Sequence, residues 1–217
     1  MRLNRRKFAT GTAALTVGGA VLGTSGFVLD ARAAVDNDEL MKPGPLGDQS
    51  VGPDDAPVTI IEYASMTCPH CASFHKGTYR QLKEKFIDTG KARLIFREFP
   101  FDDLALAAFM LARCAGEDKY FAMIDILFEK QAVWTSSDNN PADELFKIAR
   151  LAGFTEESFN ACLQNKDIAA GVHAVKDRAS LKFGVRSTPT FFINGEQLDG
   201  NHSIEKFEEL INGILTN

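Results

Sequence analysis

Cys68-Pro69-His70-Cys71, beginning four positions after the β-branched run Val58–Ala64, constrains this chain more than any other feature. The run is almost continuously apolar, as a strand covered on both faces is. Two thiols separated by two residues at the start of a helix read as a redox pair. Pro69 pre-sets the first-turn dihedral, and the unpaired amides of that turn present partial positive charge to a sulfur at position 68. An unperturbed thiol is only about 3% ionised at pH 7, whereas CxxC sulfurs at helix N-termini titrate between about 3.5 and 7.5. A pKa of about 4.5 would favour the reduced pair by a factor of about 300 and raise its potential by about 70 mV. Such a pair donates its disulfide.

The opening residues place Arg5-Arg6 ahead of Phe8, then a mildly apolar stretch diluted by Gly11, Gly18, Gly19 and Gly23, then Ala31-Arg32-Ala33. This predicts an export signal over residues 1–33 with an A-x-A cleavage site and a periplasmic destination, resembling a twin-arginine signal more than a general secretory one. Glycines interrupt the apolar run before it reaches the roughly 20 residues of a membrane span. The remaining 184 residues hold 19 Lys and Arg against 28 Asp and Glu, a charge of −9 that, without a basic run, argues against a nucleic-acid binder. An oxidising compartment suits disulfide chemistry.

Residues 34–57, rich in Pro and Gly, are expected to form a flexible tether with at most a short edge strand near 49–51. The globular part is expected over 58–217. A helix over 69–89, stopped by Gly90, and an extended run over 92–99 complete a βαβ unit with the first strand. Short helices follow over 104–115, 119–131, 142–152 and 155–163, the third with Asn140 as cap, Pro141 in its first turn and Gly153 past its end. A longer helix carries Ile168, Val172, Val175, Ala179 and Phe183 on one face. Asn194-Gly195 between Thr190-Phe191-Phe192-Ile193 and Gln197-Leu198 signals a hairpin, and a last helix starts at Ser203.

This order, with Ser187-Thr188-Pro189-Thr190 opening the hairpin, resembles the DsbA family of exported bacterial thiol oxidoreductases over residues 47–217. The resemblance implies an α/β thioredoxin fold with a helical insertion, about 103–184, between its βαβ and ββα halves. It implies that Cys68 is the attacking cysteine, Cys71 the resolving one, His70 the residue tuning the thiolate, and Pro189 a cis-proline facing the pair. Thr188, with Pro69, would meet an extended substrate, and Glu62 would be the acid behind Cys71 that accepts its proton. Exported proteins with reduced cysteines would be the substrates, a quinone-linked membrane oxidase the reoxidant, and the protein a monomer without metal or organic cofactor. Thr188 departs from the Val of the prototype oxidase and is similar to the isomerases, which leaves the direction of electron flow open.

Each residue has a plainer reading. Cys68 and Cys71 with His70 could be half of a zinc site, although no second close Cys/His pair exists. His70 alone would be a solvated first-turn side chain, Pro189 a trans turn proline, and Glu62 a solvated strand acid. If Cys68 pairs with Cys71, Cys162 is the intramolecular partner left for Cys114, and closing that loop would contribute about 4 kcal/mol. The alternative is two small core residues. His75, His173 and His202 carry no signal. Two rival functions stand beside an oxidase: an isomerase or reductase kept reduced by a membrane reductant, and a non-catalytic module holding clients or a thiophilic metal.

Overall fold

The computed structural model describes residues 35–216. The export signal expected over residues 1–33 lies outside the described residues. Among those described, five strands form one sheet in the order β1 (Gln49–Val51), β3 (Ala92–Glu98), β2 (Val58–Ala64), β4 (Thr190–Ile193), β5 (Glu196–Asp199). Strands β2 and β3 are parallel, Val58 opposite Ala92 and Ala64 opposite Glu98, and the other neighbours are antiparallel. The β4–β5 hairpin turns on Asn194 and Gly195, with φ of 46° and 92°, the positive values that an Asn-Gly turn supplies at least cost.

Side-chain alternation divides the core. Val58, Ile60, Leu94, Phe191 and Ile193 face α2 (Pro69–Lys76), α3 (Thr78–Leu82), a π-helical turn (Lys83–Ile87) and the final α10 (Ile204–Leu215). Ile61, Tyr63, Ile95 and Phe192 face α1 (Asn37–Met41) and α9 (Lys166–Lys182). The helices α4 (Asp103–Cys114), α5 (Glu117–Glu129), α6 (Gln131–Trp134), α7 (Pro141–Leu151) and α8 (Glu156–Leu163), with α9, stand between the βαβ and ββα halves. Their apolar faces join Ala64, Met66, Cys68, Cys71 and Phe96 in a third cluster, so the insertion packs on the end of the sheet that carries the cysteines. This is a thioredoxin fold with a helical insertion.

Two stretches differ from expectation. The helix expected to run unbroken from 69 to 89 stops at Gly77, whose φ of −118° and ψ of −86° are not helical, and continues as α3 and the π-helical turn. Residues 35–48, expected as a tether, are instead fastened to the domain. Arg97, itself buried, donates from Nη1 to Leu40 O (2.7 Å), from Nη2 to Lys42 O (3.1 Å), and from Nε and Nη2 to both carboxylate oxygens of Asp48 (3.0 and 2.8 Å). Arg178 donates to Lys42 O and Pro43 O. Gly171 of α9 lies so close to Leu46 that a Cβ there would collide with its side chain. Backbone carbonyls and three arginines distant in sequence, Arg97, Arg178 and Arg113, hold the segment, so composition alone gives no sign of its attachment.

Candidate active site

Strand β2 ends at Ala64, and the chain turns through Ser65, Met66 and Thr67 with Cys68 N donating to Ser65 O at 3.1 Å. Cys68 is the N-cap of α2, in extended conformation, with Pro69 at the first helical position. Gln131 of α6 holds this turn from the insertion side, its Nε2 donating to Met66 O (2.7 Å) and Cys68 O (2.9 Å). Thr67 Oγ1 donates to Asp102 (2.8 Å), whose other carboxylate oxygen caps α4 through Ala105 N (2.7 Å). From the far side, Cys68 Sγ in its thiol form donates to the carbonyl of Thr188 at 3.2 Å, and the Thr188–Pro189 peptide bond is cis. Cys68, Cys71, Thr188 and Pro189 thus meet across 120 residues of chain.

Both cysteines of the motif are thiols here and they are not equivalent. Cys68 retains 5% of its surface and Cys71 none, so an attacking group reaches Cys68 first. The Cys71 thiol, hydrogen-bonded to Cys68 Sγ, is the main cause that brings the Cys68 pKa from 9.0 down to about 5 against the opposing effect of burial. The peptide amides of Cys71 and His70 add to it. His70 therefore acts on the sulfur through its backbone, and its ring is exposed. Burial pushes the Cys71 thiol well above its ordinary range, with the Cys68 contact and the charge of Glu62 acting in the same direction. One sulfur is ionised at neutral pH and its neighbour keeps its proton.

Glu62, on β2, is fully buried and points toward α2. Its carboxylate oxygens lie 3.1 and 3.2 Å from Nε2 of His75, a residue on the buried side of α2 that is 4% exposed. Sequence reasoning passed over His75. Its position four residues beyond Cys71, on the inward face with Phe74, was the available signal. A second buried carboxylate, Glu98 at the end of β3, takes Arg113 Nε and the Tyr120 hydroxyl on one oxygen. Arg113 Nη1 also donates to Leu46 O and Gly47 O, joining the insertion to the N-terminal segment. Next to Arg113, Cys114 forms a disulfide with Cys162, with Cα atoms 6.1 Å apart.

A dithiol at a helix start beneath a cis-proline, on this sheet order, defines the thioredoxin class of protein. The thioredoxin family model matches residues 46–213. A Rickettsia bellii protein named protein-disulfide oxidoreductase is 35% identical over 169 residues, 77% of this chain and 64% of its own length. Disulfide bond formation protein D of Bacillus cereus is 33% identical over 153 residues, 68% of this chain and 70% of that one. The crystal structure of alpha-DsbA1 from Wolbachia pipientis superposes with a TM-score of 0.75 at 34% identity, covering 82% of this chain and 95% of that one. Within the thioredoxin class, the chain belongs to the DsbA family. It spans less than two thirds of the length of the Rickettsia relatives it matches.

Proposed function

We propose that this protein is a thiol:disulfide oxidoreductase that transfers a Cys68–Cys71 disulfide to exported proteins with reduced cysteines. The observation that carries this reading is the split between the two sulfurs, Cys68 held at about 5 and the fully buried Cys71 pushed the other way. A substrate thiolate bonds to Cys68 Sγ, the bond to Cys71 breaks, and Cys71 keeps the electron pair and takes up a proton. A second substrate thiol then attacks the substrate sulfur, and Cys68 departs as a stable thiolate. Glu62 is the acid that exchanges the proton with Cys71, while Thr188 and Pro69 flank the substrate beside Pro189. The Cys114–Cys162 bond is structural in this reading.

Residues 1–33 would direct export by the twin-arginine route to the periplasm, where a quinone-linked membrane oxidase restores the disulfide to the monomeric protein. Among the described residues no helix is long and apolar enough to cross a membrane. Two measurements test the proposal. Cys68→Ser should abolish disulfide transfer to a reduced protein substrate, and a variant that binds clients undiminished while wild type transfers nothing would mark a binding module. Alkylation of acid-quenched cells should find Cys68 mostly oxidised. A mostly reduced Cys68 would replace the oxidase with an isomerase or reductase.

A further inference from the structure

Cys71 cannot exchange protons with solvent on its own side: it is fully buried, and a substrate bonded to Cys68 covers the mouth of the site. Glu62 behind it is equally closed off. The contact of Glu62 with His75 Nε2 at 3.1 and 3.2 Å requires at least one shared proton, because an ionised carboxylate only accepts hydrogen bonds. The other ring nitrogen, Nδ1, is buried and has no hydrogen-bond partner. The ring itself is fixed, stacked on Phe128 at 4.4 Å and edge-on to Phe74 and Phe96. A cavity of about 130 Å³ between α2, α3, the π-helical turn and α5 is lined by His75 and reaches the surface at Arg80 and Glu129. That volume and its polar lining admit water.

We propose that His75 and this cavity form a rear proton port, through which Glu62 is reloaded from the side of the molecule that a docked substrate leaves open. The inference rests on the oxidoreductase reading above. When the substrate thiolate bonds to Cys68 and the Cys68–Cys71 bond breaks, the electron pair stays on Cys71. The proton held by the Glu62–His75 pair passes to that sulfur, and a solvent proton entering the cavity that His75 lines restores the pair. Reoxidation of the dithiol runs the same transfer outward. The charged and titratable groups facing His75 are Glu62 from β2, Lys76, Tyr79 and Arg80 from α2 and α3, Lys83 from the π-helical turn, and Asp125 and Glu129 from α5. Asp125 of α5 lines the same cavity, and burial raises its carboxyl from the ordinary value. His75 touches no reacting atom and is a positioning residue.

The test is single-turnover reduction of the oxidised full-length protein by a dithiol peptide, followed against pH. Wild type must exchange; if it does not, the oxidoreductase reading falls and this inference with it. With wild type active, His75→Gln keeps a donor to Glu62 but carries no proton, and it should slow the step by about 100-fold and change the shape of the pH profile. Free imidazole should restore much of the rate to His75→Ala. In a Glu62→Gln background His75→Gln should add no further loss, since the two act as one unit. If either His75 variant fails to fold, Arg80→Trp, a surface plug at the cavity mouth, should still slow exchange several-fold. A His75→Gln protein with the wild-type rate and profile, losses that add with Glu62→Gln, or an Arg80→Trp protein exchanging at full speed would each overturn the port.

Discussion

A thiol brought from 9.0 to about 5 makes the behaviour of Cys68 depend on pH in a defined way. Its folded pKa lies below its unfolded one, so the thiolate's contribution to the stability of the reduced protein is complete above about pH 9, shrinks as pH falls, and is gone below about pH 5. Cys71, raised by burial, opposes folding only above the ordinary thiol range. At pH 7 the Cys68 shift favours the reduced pair by at most about 100-fold, or about 60 mV, and solvent screening at the mouth of the site reduces this. Thiolate absorbance of the reduced protein should therefore titrate near 5. Because the Cys71 thiol is the foremost cause, Cys71→Ala should move the titration of Cys68 upward by more than His70→Ala does. A wild-type Cys68 that titrates like free cysteine would remove the physical basis of an oxidase.

Short elements, not long ones, hold the site. The four-residue α6 places Gln131 so that one amide satisfies two buried carbonyls of the turn before α2. Gln131→Leu strands both and should cost about 2 kcal/mol in denaturant unfolding, with faster hydrogen exchange at Cys68 and Cys71. The sequence makes the local parts legible. The β-branched run gives β2, Asn194-Gly195 gives the hairpin, and Asn140 with Pro141 and Gly153 brackets α7. What remained hidden depends on partners far apart in the chain. Gln131 is 63 residues from Cys68, and the Glu62–His75 contact exists only once α2 lies across β2. Gly77 was hidden for another reason, since glycine inside a helical pattern is tolerated and gives weak warning of a break.

Across the whole molecule, α1, the sheet, α9 and the insertion are tied by Arg97, Arg113 and Arg178. Leu40 of α1 is fully buried against α9 and the sheet, so Leu40→Ala should lower stability by about 2–4 kcal/mol in denaturant unfolding. A loss near zero would mean that residues 35–48 are the tether their composition suggests. The chain's single tryptophan, Trp134, sits fully buried in α6, its Nε1 donating to Leu127 O at 2.7 Å, one helical turn from Gln131. Its indole thus shares a rigid element with the clamp on the thiol turn. Light emitted by that one side chain is a built-in gauge of the site, so each round of electron transfer can be watched in real time without attaching a dye.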